Sequence, residues 1–437
     1  MKKLMSILLC VLMLVSVLAG CGATEEVVEE TTEVTEEVVE EVVEETSEPK
    51  IYEGVELVYW SSKVAGTPAA VVLEELAAEF YEETGCVINI QFKGNERRQI
   101  MPTALESGER IDVFDSAGFY ELRTFDPAWI LDLTPYYEAT GYAEKTYGLM
   151  VKDLTDNSPE GGLPGVVSAP GMNGLWYDKA AVAAAGITEM PKTFDEFEVM
   201  FDAILETGVA PLSLDGAYVA GFFGTVLQRH CGQEVVRELS MNGGWSENEG
   251  AVAAAQRMID WKNKGYFVDG APDVFPTSQN KIALGLSAMV NCGVWVGNEI
   301  ETAMGVDIDW GFTKFPILDE SIDANVDSAY SSYIHVNEKC ENPDAAWDWM
   351  MKIVTGEGDK RVTDALLCPP ADKTNEALPD FDGTVEYLDS VEVCLDVNCA
   401  VANADMKAAL TDVMTKIFEG NYATGLEAMQ AMDALYN

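Results

Sequence analysis

The chain has 437 residues, of which 48% are hydrophobic, and this length suits roughly two or three domains of about 150 residues each. Its formal net charge is −48. A surface this acidic repels phosphate backbones, so we expect no nucleic acid partner, and anionic substrates are disfavoured as well.

The first 20 residues have the pattern of a secretory signal peptide. Lys2 and Lys3 follow the initial Met, and the apolar stretch Leu4–Val17 leads to small residues. A transmembrane anchor is the alternative, but the 17-residue run at 4–20 is shorter than the about 20 residues that a helical span needs. We therefore predict a signal peptide over residues 1–20.

The segment Leu18-Ala19-Gly20-Cys21 resembles the lipobox of bacterial lipoproteins. In that class a peptidase cuts before the cysteine, whose sulfur carries a diacylglycerol. The resemblance implies that Cys21 is the first mature residue and the lipidation site. Two acyl chains suffice for stable attachment to a bilayer. We therefore expect the protein at the cell membrane, lipid-anchored on the extracellular face.

A run of acidic residues follows this cysteine. Residues 24–48 contain twelve Glu together with Val and Thr, and no Lys or Arg. Like charges three and four residues apart oppose a helix, and Val and Thr are weak helix formers. The composition therefore predicts a disordered acidic tether, which with the lipidated cysteine covers residues 21–50. The spacing of the valines leaves a coiled coil as the alternative.

From residue 55 the chain alternates between strand-like and helix-like segments. Strand patterns occupy 55–60, 87–92, 111–115, 166–170 and 174–179. Helical patterns occupy 69–85, 193–208, 249–265 and 342–356, and 406–436 forms two helices joined at Gly420-Asn421. The second of these helices begins with Thr193 and Glu196 at the spacing of a capping box. This alternation predicts an α/β fold, with a parallel sheet covered by helices.

Seven cysteines follow the tether, at positions 86, 231, 292, 340, 368, 394 and 399. Their number is odd, so at least one is free or pairs between chains. None forms a CxxC pair, and only His230 and His335 offer imidazole ligands. We therefore expect scattered buried thiols, with no metal site and no cofactor.

Several segments, in this order, resemble the extracellular solute-binding proteins of ABC sugar importers, the maltose-binding-like family. They are FYEETGCVINIQF (80–92), ALESGERIDVFDS (104–116), ILDLTP (130–135), GLWYDKAAVAAAGITEMPKTFDEF (174–197), ALGLSAMVNCGVWVGNEI (283–300) and NPDAAWDWMMKIVT (342–355). Within them, Asp178 and Phe194 depart from the family pattern. The resemblance covers about 51–437.

The resemblance implies a two-lobed periplasmic-binding-protein-like fold of type II, with a hinge and a cleft between the lobes. Carried onto this chain, lobe one comprises 51–165 plus 315–365, and lobe two comprises 166–314 plus 366–437. The chain would cross between the lobes near 165–172, 309–315 and 365–371.

A sugar site needs flat aromatic faces for the pyranose ring and polar side chains for its hydroxyl groups. In open α/β sheets such groups lie in loops at the carboxyl ends of strands. The residues that fit this placement are Trp60, Ser62, Asp115, Tyr120, Asp215, Tyr218, Trp295 and Tyr330. The family resemblance supports the Asp215–Tyr218 loop and Trp295 in particular. A tryptophan beside an apolar strand is often a core residue, and we assign Trp245, Trp261, Trp347 and Trp349 to packing.

The sequence lacks the G-x-S-x-G, G-x-x-x-x-G-K-[ST] and H-E-x-x-H motifs, and no carboxylate pair stands out, so we predict a protein that is not an enzyme. The resemblance implies a monomeric lipoprotein that captures an oligosaccharide and delivers it to the permease subunits of an ABC transporter. Another solute such as a polyamine is the alternative. A surface carbohydrate-active enzyme or a structural wall adhesin are the other candidates.

Overall fold

The computed structural model describes residues 49–122, 125–158, 161–318, 326–400 and 403–436, without the side chains of 119 and 120. The predicted signal peptide, Cys21 and nearly all of the predicted tether lie outside the described residues. Within the described ranges, no helix combines the length and the apolar character that crossing a bilayer requires.

Ten strands are present among the described residues. They are β1 Glu56–Ser61, β2 Val87–Phe92, β3 Val113–Ser116, β4 Val166–Asp178, β5 Ala210–Ser213, β6 Ser287–Gly293, β7 Trp310–Thr313, β8 Val326–Asp327, β9 Ala329–Val336 and β10 Val393–Cys394. Eight of them form one sheet in the order β2-β1-β3-β9-β4-β6-β5, with β7 also paired to β4. The remaining strands, β8 and β10, pair with each other.

The sheet is mixed, which corrects the prediction of a parallel sheet. Strand β1 is parallel to β2 and β3, and β5 is parallel to β6. In the centre, β9 is antiparallel to both β3 and β4, and β4 is antiparallel to β6 and β7. The prediction failed there because alternation of strands and helices along the chain reports local units, whereas β9 returns to the sheet centre from far along the sequence.

Strand β4 joins the two parts of the sheet, which are β2-β1-β3-β9 on one side and β6-β5 together with β7 on the other. The two strand-like segments predicted at 166–170 and 174–179 are one continuous strand, whose first half pairs with β9 and whose second half pairs with β6 and β7. At its middle, Gly171 lies against Tyr330, and a Cβ on this glycine would come within 2.6 Å of the tyrosine ring. The first half coincides with the predicted chain crossing at 165–172.

Helices pack against the sheet and against each other. They are α1 Pro68–Thr84, α2 Arg97–Ser107, α3 Phe119–Leu122, α4 Thr134–Thr140, α5 Gly148–Asp156, α6 Lys179–Ala184, α7 Phe194–Glu206, α8 Val219–Cys231, α9 Gln233–Asn242, α10 Glu249–Lys264, α11 Thr277–Ala283, α12 Val296–Met304, α13 Pro343–Val354, α14 Gly356–Leu366, α15 Thr384–Ser390, α16 Met406–Glu419 and α17 Gly425–Asp433. All of the predicted helices are present. The capping box is confirmed too, because Glu196 N donates to Thr193 Oγ1 at 3.4 Å and Thr193 N donates to the Glu196 carboxylate at 3.0 Å.

The packing roles assigned to four tryptophans are confirmed. Trp245, Trp261, Trp347 and Trp349 are each at most 3% exposed and belong to hydrophobic clusters. The seven cysteines of the body are all free, as the expectation of scattered thiols required, and four of them are buried.

The C-terminal helix α17 ends at an acidic side chain that caps a turn elsewhere in the chain. Asp433 accepts hydrogen bonds from the backbone N–H groups of Gly244, Trp245 and Ser246, at 2.7–2.9 Å. Burial raises the pKa of this carboxyl group, but the hydrogen bonds outweigh burial and hold its pKa below the usual value. Asp433 therefore stabilises the contact between α17 and the turn when it is ionised.

Replacing Asp433 with Ala is expected to lower the free energy of unfolding by about 1 kcal/mol at neutral pH, as loss of a capping side chain does. Because the folded pKa is depressed, this contribution is present above the unfolded value of about 3.9 and is lost as the pH falls through the folded pKa. Denaturant unfolding of both proteins at several pH values checks this. A stability difference that grows on acidification would contradict it.

Candidate ligand-binding site

A cavity of about 220 Å³ lies where the predicted ligand loop, the end of β6 and the start of α12 meet β8. Its aromatic lining consists of Tyr218, Trp295 and Phe315. Its polar lining consists of Asn173, Thr225, Asn291, Cys292, Asp327, Ser328, Asn398 and Lys407. We refer to it as the aromatic cavity.

The aromatic side of this cavity is built around Trp295, which directly precedes α12 and is half-buried. Its indole lies 6.0 Å from the ring of Tyr330, centroid to centroid, at an interplanar angle of 52°. Gly293 makes this position possible, since a Cβ there would come within 2.4 Å of the indole. Trp295 therefore has one face against the protein, and it lines the cavity.

The two tyrosines near Trp295 keep neutral hydroxyl groups. Burial raises the pKa of both Tyr218 and Tyr330 well above the ordinary value. The Tyr330 hydroxyl is buried and finds no hydrogen-bond partner among the described residues. Each hydroxyl can therefore donate one hydrogen bond at any physiological pH.

Amide side chains form much of the polar lining. Asn291 projects from β6, is only 7% exposed, and makes no side-chain hydrogen bond to another described residue. Asn398 is half-buried and likewise has no such bond in the described ranges, whereas Asn173 Nδ2 donates to Ser328 Oγ at 3.1 Å. A buried amide without a partner is costly. Asn291 and Asn398 are thus available to a bound molecule.

The carboxylate in this lining is balanced by a buried arginine. Asp327 and Arg229 are 3% and 1% exposed in their side chains and lie 3.3 Å apart. Arg229 Nη1 also donates to the carbonyl of Val326 at 2.7 Å. Burial raises the pKa of Asp327, and the charge of Arg229 opposes that rise. The pair links α8 to β8 at the base of the cavity.

The structure brings together three of the predicted site residues. Tyr218 and Trp295 line the aromatic cavity, and Tyr330 contacts Trp295. Asp215 lies in the same loop but is 3% exposed, with Oδ1 accepting from Ala217 N at 2.7 Å and Oδ2 accepting from Ser278 Oγ. Its carboxylate fixes the loop that carries Tyr218.

The other predicted residues lie at the ends of β1 and β3, and none of them lines the aromatic cavity. Trp60 is 2% exposed, with Lys93 Nζ 4.3 Å from its ring centre. Asp115 accepts from Tyr59 Oη at 2.5 Å and from Ser62 N and Oγ at 2.7 and 2.6 Å. The side chain of Tyr120 lies outside the described residues. A ligand-binding role for these four positions stays a prediction.

Sequence reasoning missed the amide groups. Asn291 could have been found, because it is a polar residue inside the apolar segment AMVNCGV. Asn173 sits in the strand β4, between the two segments that were predicted as strands. Asn398 carries no local signal, because it reaches the cavity only through the long-range course of the chain.

Residues 66–355 match the family model of bacterial extracellular solute-binding proteins. The chain belongs to this family. No curated protein sequence matches it significantly. The match covers most of the residues that the structure describes, and it includes every segment that carried the family resemblance.

Solved structures of solute-binding proteins share the fold. A chitin oligosaccharide-binding protein is 19% identical, with a TM-score of 0.62, over 87% of this chain and 98% of that one. A probable secreted solute-binding lipoprotein from Streptomyces coelicolor is 16% identical, with a TM-score of 0.69, over 87% and 98%. RafE in complex with raffinose is 15% identical, with a TM-score of 0.63, over 88% and 99%. The predicted fold class, a two-lobed α/β solute-binding protein, is confirmed.

Proposed function

We propose that this protein is a substrate-binding lipoprotein that captures a carbohydrate outside the cell and delivers it to the permease of an ABC transporter. The observation that carries the proposal is the aromatic cavity, with Trp295 and Tyr218 beside unpartnered amides, in a member of the solute-binding family. Two similar structures bear names that include chitin oligosaccharide and raffinose, which supports a sugar as the ligand class.

The chemistry of the lining suits a neutral sugar. An aromatic face packs against the C–H face of a pyranose ring, and amide groups both donate to and accept from hydroxyl groups. The volume of about 220 Å³ is below the roughly 300–1,000 Å³ of sites for drug-sized ligands. The cavity therefore suits a single sugar unit or the end of an oligosaccharide.

The charge of the lining disfavours a polyamine in this cavity. The carboxylate of Asp327 is balanced by Arg229, and Lys407 adds a positive charge to the lining. A polyamine needs carboxylates that are not already paired. A neutral ligand meets no such requirement.

The enzyme alternative has one geometric feature in its favour. His335 Nε2 lies 2.7 Å from Ser116 Oγ, at the spacing of a base and its nucleophile. Both side chains are at most 1% exposed, and the other ring nitrogen, Nδ1, faces the carbonyl of Pro164 at 2.6 Å instead of a carboxylate. A substrate has no access to this pair, so we favour binding over catalysis.

The two lobes are proposed as 51–165 plus 315–365 and 166–314 plus 366–437. Strand β4 runs through both parts of the sheet, and this favours a hinge at its first half. A ligand held by residues on both sides shifts such a protein toward its closed form, because it contacts both lobes only there.

A thermal-shift screen against a panel of neutral mono- and oligosaccharides, with spermidine in the same plate, tests the proposed function. A ligand at 100 times its Kd stabilises the folded state by about 2.7 kcal/mol, which is readily detected as a higher melting temperature. We expect at least one sugar to raise the melting temperature. A screen in which no sugar raises the melting temperature would overturn the carbohydrate assignment, whatever spermidine does.

The lipid anchor has its own test. Replacing Cys21 with Ala is expected to release the protein from the membrane fraction into the medium, because the thiol that carries the lipid is then absent. Cell fractionation followed by immunoblotting measures this. If the variant stays membrane-bound, the anchor lies elsewhere in the chain.

A further inference from the structure

A second cavity, of about 300 Å³, lies apart from the aromatic cavity. It is bounded by α5, by the end of α8, by α9 and by the segment 392–399, and it shares no lining residue with the aromatic cavity. We call it the α5–α9 cavity. The proposed sugar-binding function gives it no role.

Two glutamines in its lining direct their amide nitrogens at backbone carbonyl groups, which leaves their oxygens as acceptors. Gln228 is 2% exposed, and its Nε2 donates to the carbonyls of Gly224 and Asp396 at 3.0 and 2.9 Å. Gln233 Nε2 donates to the carbonyl of Cys394 at 3.3 Å, and its Oε1 is buried without a partner among the described residues. Because each Nε2 faces carbonyl oxygens, the amide orientations are fixed and the oxygens remain as acceptors.

The charged groups of this lining are two cations, Lys152 and Arg237, and four carboxylates, Asp153, Asp156, Glu392 and Asp396. Lys152 and Arg237 have side chains that are 62% and 55% exposed, and each faces a carboxylate of its own helix. Glu392 is exposed and makes no ion pair or side-chain hydrogen bond with another described residue. Carboxylates thus outnumber cations in this lining by four to two, and the lining offers mainly acceptors to a ligand.

We propose that the α5–α9 cavity is a second binding site, which takes a small organic cation with a primary ammonium group. An ammonium group has three donors and no acceptor, so it complements the oxygens of Gln228, Gln233 and Glu392. Hydrogen bonds between charged partners are also the stronger ones. A sugar hydroxyl group contains an acceptor oxygen as well as a donor, so it complements this lining of acceptors less well.

Calorimetric titration of the purified protein with putrescine tests the proposal. The net charge of −48 attracts any cation weakly, so the titration is done at about 0.15 M salt, where exposed charges are largely screened. Wild type is expected to bind one putrescine saturably. Glu392→Gln is expected to weaken this binding by about tenfold or more, as loss of a charged hydrogen bond does.

Matched variants distinguish binding at this site from nonspecific attraction of cations and from binding in the aromatic cavity. Glu109→Gln removes the same charge from an exposed position without side-chain partners in the described residues, and it is expected to leave putrescine affinity unchanged. Trp295→Ala is expected to leave it unchanged as well. Absence of saturable binding, equal effects of the two glutamate variants, or loss of binding in Trp295→Ala would each overturn the proposal. A negative sugar screen would leave the putrescine result standing.

Discussion

Replacing Trp295 with Ala is expected to weaken binding of the best sugar from the screen by about tenfold or more. Stacking on an aromatic ring contributes about 0.5–1.5 kcal/mol beyond the buried area, and a factor of ten in affinity corresponds to about 1.4 kcal/mol. Trp295 also lines the cavity and contacts Tyr330, so its loss removes both stacking and support. Calorimetric titration measures the change.

The melting temperature of the ligand-free variant serves as the internal control, since a half-buried side chain at the cavity supports little of the core. Tyr81→Ala is the matched variant, because Tyr81 is an exposed aromatic residue on α1, far along the chain from the aromatic cavity. It is expected to bind the sugar as wild type does. Unchanged affinity in Trp295→Ala, or collapse of its fold, would show that Trp295 is a core residue.

Replacing Arg229 with Met is expected to lower the free energy of unfolding by about 3–5 kcal/mol, because it leaves the buried carboxylate of Asp327 without its counter-charge. Arg229 Nη1 also satisfies the carbonyl of Val326, which loses its donor. Chemical denaturation at neutral pH measures the loss. A cost below about 1 kcal/mol is typical of exposed ion pairs and would contradict the burial of this one.

The double variant with Arg229→Met and Asp327→Leu separates charge from geometry. Replacing both members of a buried ion pair by apolar residues of similar volume is often neutral or stabilising. The double variant is therefore expected to recover most of the stability that the single variant loses. If it remains as unstable as the single variant, the hydrogen bond to Val326 and the shape of the site matter more than the charge of Asp327.

The elements that were predicted well are those whose signals are local. Helix α7 is bounded by the Thr193–Glu196 capping box, and α1 ends at Gly85, which adopts a left-handed conformation with φ of 80°. Strands β1 and β2 are separated by helix α1, which the sequence pattern also predicts. Each of these features depends on residues within a few positions of one another, so the sequence alone suffices.

The elements that were predicted less well depend on distant parts of the chain. The antiparallel position of β9 between β3 and β4 is decided by pairing across more than 150 residues of sequence. The role of Asp215 was also beyond the pattern. Whether the carboxylate of Asp215 faces a ligand or caps the turn depends on Ser278, a distant residue, as well as on Ala217.

The aromatic part of the candidate site followed from the family resemblance, whereas its amide part did not. Trp295 lies in one of the segments that resemble the family, Tyr218 lies in a loop that the resemblance supported, and both line the cavity. Asn398 enters from a segment without such a pattern, and Trp60, whose ligand-binding role stays a prediction, is 2% exposed and belongs to a hydrophobic cluster. Burial of a tryptophan is decided by packing partners that the sequence does not identify.

The most direct test of a carbohydrate-binding function is an equilibrium titration with the best oligosaccharide of the screen, followed by chromatography of the sugar recovered from the protein. We expect saturable binding of one sugar per chain and recovery of the sugar intact. Failure of every sugar to bind, or recovery of shortened products, would contradict the assignment of this protein as a sugar-binding component of an ABC importer.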